Sequence, residues 1–115
     1  MQLLPIYDCL RDPTRLRLLH LLQLAGPLCV CHLQSALEEP QVKISKHLGY
    51  LRRHRLVESR RDGHWMHYRL IRRPSRVLAR HLACLQDCAA SEPIFARDLR
   101  RLHRFQKNGS PCGPI

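Results

Sequence analysis

The feature that most constrains the fold is a basic helical stretch at residues 41–54. Ile44, Leu48 and Leu51 recur there at i, i+4 and i+7, which marks one apolar face of an amphipathic helix. A second short helix is predicted directly before it, over 28–37. Two short helices joined by a tight turn, the second polar and basic on its outer side, predict a helix-turn-helix.

Two short strand-like runs follow, over 56–60 and 65–70. They are separated by Asp62-Gly63, a dipeptide typical of tight hairpin turns. A basic hairpin directly after a helix-turn-helix is a wing. The predicted fold class is therefore mainly α with a β-hairpin wing (α+β), a winged helix-turn-helix.

The length of 115 residues fits one domain. We expect this domain over 1–107, with flanking helices at about 1–11 and 74–107, and a disordered tail over 108–115. A chain this short leaves much of its surface exposed, so pairing with a second copy would add stability.

The charge balance is strongly basic. Twenty Lys and Arg residues oppose nine Asp and Glu, a formal net charge of +11, which favours nucleic acid as partner over an anionic membrane surface. No segment approaches the roughly 18 apolar residues of a spanning helix. The first ten residues contain neither Lys nor Arg, so they lack the basic start of a signal peptide. We therefore expect a cytoplasmic protein that does not bind membranes.

Six cysteines in a cytoplasmic protein are better interpreted as thiols than as disulfides. Two of them, Cys29 and Cys31, fall at the predicted start of the second helix, where the helix dipole should lower thiol pKa values and favour soft-ion binding. Residues at i and i+2 point to different helix faces. We therefore expect the first turn to unwind or tilt when both sulfurs hold one ion, which would disturb the neighbouring recognition helix.

Four segments, in this order, resemble the ArsR family of metalloregulatory repressors. They are Asp12-Pro13-Thr14-Arg15-Leu16, Leu28-Cys29-Val30-Cys31-His32-Leu33, Lys43-Ile44-Ser45-Lys46-His47-Leu48 and Gly63-His64-Trp65-Met66-His67-Tyr68-Arg69-Leu70. The resemblance implies a homodimer, built by the flanking helices, that represses transcription by binding double-stranded operator DNA. It also implies that As(III) or Sb(III), bound by cysteine thiolates, is the inducer that releases the DNA.

The resemblance also implies a ligand set. Cys29 and Cys31 are the predicted metal ligands, while Gln34 stands where relatives can carry a third cysteine. Candidates for the third ligand are Cys9, Cys112, a small thiol and water. His32 replaces the usual acidic residue and is either a nitrogen ligand that favours zinc or cadmium or, as we expect, an exposed helix residue.

A second site is a further candidate. His81, Cys84 and Cys88 lie at i, i+3 and i+7 on one predicted helical face, where some family members bind zinc-like ions. The alternative is a seam of small residues between two subunits.

The predicted DNA contacts fall in the helix-turn-helix and the wing. Early positions of a recognition helix read base edges, and wing residues reach the minor groove or the phosphates. The predicted residues are Gln41, Lys43, Ser45, Lys46 and His47 in the helix, with Arg60, Arg61 and His64 in the wing. The alternative is a charged face that only contacts solvent.

Three other functions compete on the same fold. A disulfide between Cys29 and Cys31 would make a repressor that senses oxidants or reactive sulfur, and other ligands would make a sensor of cadmium, lead or zinc. The third alternative is a constitutive architectural DNA-binding protein, whose DNA affinity no metal would change. An enzyme is not expected, because the chain has neither C-x-x-C beside a strand–helix unit nor a Gly-rich nucleotide loop. We expect no required cofactor and no small organic substrate.

Overall fold

The computed structural model describes residues 3–108, which form six helices and a three-stranded sheet. The helices are α1 (Leu3–Leu10), α2 (Pro13–Ala25), α3 (Val30–Leu37), α4 (Gln41–Arg53), α5 (Arg76–Ala89) and α6 (Pro93–Lys107). The strands are β1 (Leu28–Cys29), β2 (Val57–Asp62) and β3 (Trp65–Leu70), in the order β1-β3-β2 with antiparallel pairing throughout. This element order confirms the predicted mainly α fold with a helix-turn-helix, α3–α4, and a wing, β2–β3.

Residues adjacent in sequence determine where α2 begins and where the wing hairpin turns. The Asp12 carboxylate caps α2 by accepting hydrogen bonds from the Thr14 N–H, at 2.8 Å, and the Arg15 N–H, at 3.1 Å. Pro13 follows at the first helical position, where its missing N–H leaves no bond unmade. In the wing, Gly63 turns the chain with φ +63°, a conformation that glycine adopts without a steric penalty.

The hydrophobic core forms around α2, which contributes four fully or almost fully buried leucines: Leu18, Leu19, Leu21 and Leu22. Leu33 of α3 and Ile44, Leu48 and Leu51 of α4 belong to the same cluster. The apolar stripe predicted for α4 thus faces α2 and leaves the opposite face of α4 exposed. This packing fixes the helix-turn-helix against the rest of the molecule.

Arg17 is buried in α2, although a basic side chain of a surface helix ordinarily lies on the face toward solvent. Its side chain is 10% exposed, and it donates from Nε to Asp98 Oδ2 at 2.7 Å and from Nη2 to Asp98 Oδ1 at 2.8 Å. The same Nη2 donates to the Leu37 carbonyl at 3.0 Å. Because α6 packs over this region and carries the carboxylate, the guanidinium is buried with its charge paired, and it ties α2, α6 and the end of α3 together.

A second correction concerns residues 28 and 29, which the sequence predicts as the start of a helix. They form the strand β1, with Leu28 opposite Tyr68 and Cys29 opposite His67. Their backbone is extended and pairs with the wing strand β3, so the helix α3 begins one residue later, at Val30. The second helix of the sequence prediction is thus anchored directly to the wing.

The flanking helices lie on either side of the helix-turn-helix and the wing. The predicted helix over 1–11 corresponds to α1, and the predicted region 74–107 contains α5 and α6. Of the tail predicted over 108–115, only Asn108, the C-cap residue of α6, lies within the described residues. Among residues 3–108, no helix has both the length and the apolar character that a membrane span requires.

Candidate thiol site and basic surface

The sulfurs of Cys29 and Cys31 converge at the start of α3. Cys29 is the N-cap residue, with φ −86° and ψ 167°, and its side chain is buried. Its Sγ lies 2.8 Å from Sγ of Cys31 in the first turn. Cys29 is extended and lies outside the helix, so the spacing rule that separates residues at i and i+2 of a helix does not apply to this pair. The two sulfurs thus lie in one group of potential ion ligands.

His32 is the third potential donor, and the expectation of an exposed helix residue was wrong. Its side chain is buried, because α6 packs across α3 and places the Phe105 ring 5.7 Å from the imidazole, edge to face. His32 Nδ1 lies 2.8 Å from Cys29 Sγ and 3.4 Å from the Cys29 backbone nitrogen. The donor atoms of Cys29, Cys31 and His32 all lie within 4.8 Å of one another.

Burial dominates the electrostatics of this site. It raises the pKa of the Cys29 thiol, although the backbone N–H groups of His32 and Cys31 act in the opposite direction. The expectation that the helix start lowers this pKa was therefore wrong for Cys29, since desolvation outweighs the N–H groups. Burial also lowers the pKa of His32, and the nearby His67 lowers it further. A soft ion that binds Cys29 must displace its proton, so binding should strengthen with rising pH.

Of the candidate thiol ligands that the structure describes, Cys9 does not join this group of donors. Cys9 belongs to α1 and is fully buried in the core, and burial raises its pKa to about 11. Cys112 lies outside the described residues. Gln34 is half-buried in α3. Within residues 3–108, the histidine at position 32 is thus the donor that the fold brings to the two cysteines, and its buried position under α6 was not visible in the sequence.

The structure brings together two of the three residues of the candidate second site. Cys84 and Cys88 are exposed on α5, with their sulfurs 3.9 Å apart. The His81 ring instead packs edge to face against Tyr7 of α1, with 5.0 Å between centroids. Among the described residues, His81, Cys84 and Cys88 do not form a three-donor group.

The basic surface comprises the exposed face of α4 and the tip of the wing. Gln41, Lys43, Ser45 and Lys46 are exposed on α4, and Lys43 forms an ion pair with Glu39 at 3.2 Å. The wing residues Arg60, Arg61 and His64 are exposed as well. Seven of the eight predicted DNA-contacting residues thus lie on open surface.

His47 is the exception, because it turns toward α2. It is half-buried, with Nδ1 3.3 Å from Arg15 Nη1 and Nε2 4.0 Å from Asp12 Oδ1. The Arg15 guanidinium also lies over the Tyr50 ring, 4.4 Å from its centroid. These contacts position α4 on the start of α2, a role that the sequence alone did not indicate.

The thiol site is connected to both parts of this basic surface. β1 ends at Cys29 and pairs with β3 of the wing, while α3 leads through a short turn into α4. A further contact joins α4 to the wing, since Arg52 Nη1 donates to the Ser59 hydroxyl at 3.3 Å. A ligand bound to Cys29 would therefore contact the element that supports both parts of the basic surface.

Comparisons with known proteins agree with this architecture. The family model "Bacterial regulatory protein, arsR family" matches residues 12–59. The arsenical resistance operon repressor of Escherichia coli K12 is 50% identical over 70 residues, which are 59% of this chain and 60% of that repressor. The chain spans about half to three fifths of the length of the curated arsenic-resistance regulators that it matches.

Two solved structures extend the similarity to the flanking helices. The antimony-specific transcriptional repressor AntR has a TM-score of 0.63 and 31% identity, over 78% of this chain and 81% of AntR. A homodimeric winged helix-turn-helix DNA-binding domain from Mycobacterium bovis, a possible ArsR-family regulator, has a TM-score of 0.64 and 28% identity. That match covers 79% of this chain and 81% of the domain. The chain belongs to the arsR family of bacterial regulatory proteins.

Proposed function

We propose that this chain is a transcriptional repressor that responds to trivalent arsenic or antimony. In its metal-free form it binds operator DNA as a homodimer, and it leaves the DNA when the metalloid binds Cys29 and Cys31. The observation that carries the proposal is the convergence of these two sulfurs, 2.8 Å apart at the start of the helix that supports α4. The names of the E. coli repressor and of AntR support the choice of metalloid.

The proposed DNA contacts divide by chemistry. Gln41, Lys43 and Ser45 lie early in α4 and are exposed, so we assign them to base edges in the major groove. Lys46 and the wing residues Arg60 and Arg61 are assigned to phosphates or the minor groove, where they position the protein. His47 is not part of this proposal, because its ring packs on α2.

The proposed homodimer rests on exposed apolar side chains in the flanking helices. Leu3, Leu4 and Tyr7 of α1 are 39%, 61% and 51% exposed. Burying such side chains against a second copy is favourable by the hydrophobic effect. The homodimeric state of the Mycobacterium bovis domain supports the same assembly.

The link between ligand and DNA follows from the position of Cys29. When one arsenic atom binds both sulfurs, each sulfur bonds to the arsenic. The present direct contact between the two sulfurs is then replaced by an S–As–S angle. Because β1 and α3 meet at this residue, the adjustment changes the angle at which α3 leaves the wing strand. The DNA-bound and ligand-bound arrangements then compete, which is the condition for release.

The test is operator binding followed by fluorescence anisotropy, under a reductant, with a duplex selected from a random library by the metal-free protein. Arsenite should release wild type, and the Cys29→Ser/Cys31→Ser double variant should stay bound. Cys84→Ser/Cys88→Ser is the matched control, and it should respond as wild type does. Equal release of wild type and the Cys29/Cys31 variant would refute the proposal.

The same pair of sulfurs favours one second candidate, a thiol-redox repressor. In the reduced protein, two thiols at this distance can be oxidised to a disulfide, which is the alternative signal for Cys29 and Cys31. In the anisotropy experiment, peroxide replaces arsenite and the reductant is omitted, and mass spectrometry reports the loss of two hydrogens. Release by peroxide without any release by arsenite would favour this candidate.

A further inference from the structure

We infer that Val42 of α4 takes part in sequence readout by packing on the 5-methyl group of a thymine in the major groove. The inference rests on the proposed function, because it takes α4 as the helix that enters the groove. It adds an apolar specificity-determining residue to the polar residues already assigned to base edges.

Val42 is the most exposed of the large hydrophobic side chains in residues 3–108, with 81% of its surface open to solvent. It occupies the second position of α4, directly after Gln41. A β-branched residue is a weaker helix former than alanine, and a side chain this exposed gains almost nothing from burial. The stability of the folded monomer therefore does not explain a valine at this position, whereas a contact with a bound molecule does.

Val42 lies at the centre of the outer face of α4. It precedes the buried Ile44 by two residues and so projects from the opposite side of the helix. Lys46 and Gly49 follow on the same face, at i+4 and i+7. A methyl group added at Gly49 would meet no side chain and no other element within 4 Å. The space in front of this face is thus open along two turns of the helix.

The charges around Val42 favour a polyanionic partner. Lys43, Lys46 and Arg53 are exposed on the same helix. Lys46 and Arg53 take part in none of the ion pairs of the described residues. These charges would repel the same face of a second copy, and one valine is too small an apolar area to hold a protein partner. A DNA duplex instead meets the lysines and the arginine with its phosphates.

The major groove presents an apolar group that suits a single valine. Base edges there carry hydrogen-bond donors and acceptors, together with the C5-methyl group of thymine, which apolar side chains contact. Gln41, Lys43 and Ser45 surround Val42 and are the residues that we assign to base edges. A helix that brings these three side chains to the bases brings Val42 to the same depth of the groove. Val42 then favours thymine at one position of each half-site.

The experiment uses the reduced, metal-free, full-length chain and the duplex that it selects from a random library. Each thymine is replaced in turn by deoxyuridine, which removes the methyl group and keeps every hydrogen-bonding atom. Fluorescence anisotropy gives the affinities of wild type, Val42→Ala and Lys46→Ala. We expect one thymine in each half-site at which a single replacement weakens wild-type binding about fourfold, the effect of burying one methyl group.

The two variants separate a methyl contact from a general loss of affinity. Val42→Ala should bind the thymine and deoxyuridine duplexes equally at that position, because alanine is too short to reach the methyl group. Lys46→Ala is the matched control on the same face, and it should bind every duplex more weakly while keeping the wild-type ratio. Both side chains are exposed, so arsenite affinity without DNA should equal that of wild type in both variants.

Three results would overturn the inference. The first is a Val42→Ala protein that keeps the wild-type ratio at every thymine. The second is a set of selected duplexes without a thymine at any fixed position, and the third is loss of the same ratio in Lys46→Ala. The proposed function is tested separately by arsenite: a protein that reads the thymine but stays on the DNA in arsenite would refute the proposed function and leave the inference intact.

Discussion

At the scale of single residues, the contact between Arg17 and Asp98 holds three helices together. The Asp98 side chain is fully buried, and both of its oxygens accept from Arg17. Asp98 raises the pKa of the guanidinium through this hydrogen bond, against the effect of burial, so Arg17 stays charged. A buried pair of this kind is costly to break, because removing one partner leaves the other charge without compensation.

We therefore expect Asp98→Ala to lower the free energy of unfolding by about 3–5 kcal/mol, measured by urea denaturation. The double variant Arg17→Met/Asp98→Leu should recover much of this loss, because neither charge remains. As a control, Asp8→Asn removes the exposed pair with Arg11 and should cost about 0–1 kcal/mol. Similar losses for Asp98→Ala and Asp8→Asn would contradict the role given to the buried pair.

His20 makes stability depend on pH. Burial lowers its pKa below the usual 6.5, with Asp98 acting in the opposite direction, and its Nδ1 is buried without a hydrogen-bond partner among the described residues. The unfolded chain therefore binds a proton more readily than the folded one. The stabilising contribution of neutral His20 is present above pH 6.5 and is lost as the pH falls through the lower folded-state pKa.

We expect urea unfolding free energies to fall between about pH 7 and pH 5, with a shallower fall in His20→Leu. Part of the slope should remain in that variant, since burial also lowers the pKa values of His32 and His47. An identical slope in wild type and His20→Leu would show that His20 is not one of the groups responsible.

At the scale of elements, α4 carries the exposed basic face that we assign to DNA. Lys46 is exposed and takes part in none of the ion pairs of the described residues, whereas Lys43 pairs with Glu39. Lys46→Ala should weaken binding to all duplex sequences alike and reduce the slope of log affinity against log salt by about 1. Gln41→Ala should instead change sequence preference. An unchanged salt slope in Lys46→Ala would remove this lysine from the phosphate contacts.

The sequence predicts elements with local signatures well. Asp12-Pro13 predicts the start of α2, the apolar stripe of α4 predicts its buried face, and Asp62-Gly63 predicts the hairpin turn. Each of these features depends on neighbours within a few residues along the chain. For the same reason, the placement of Cys29 at the helix cap and Cys31 in the first turn could be predicted.

The features that the sequence did not predict depend on distant parts of the chain. Arg17 is buried because α6 brings Asp98 to it across 81 residues. His32 is buried because Phe105 of the same helix covers it. The strand pairing of Cys29 with His67 reverses the expectation of a helix there. Periodicity within a segment carries no information on which distant segment covers it.

At the scale of the whole molecule, we propose that the ligand-bound and DNA-bound forms are competing states of one homodimer. Such competition is reciprocal: if arsenite weakens DNA binding by a given factor, DNA must weaken arsenite binding by the same factor. Coupling free energies of this kind are typically about 1–3 kcal/mol, or roughly 5–150-fold. The proposed function therefore requires a thermodynamic linkage between the thiol site and the basic surface, and the presence of both sites is not enough.

The most direct test is to titrate arsenite into the reduced protein by calorimetry, once free and once saturated with the selected duplex. We predict weaker arsenite binding in the complex, by the same factor by which arsenite weakens DNA binding in the anisotropy experiment. Arsenite that binds Cys29 and Cys31 with equal affinity in the free and DNA-bound protein would contradict the account.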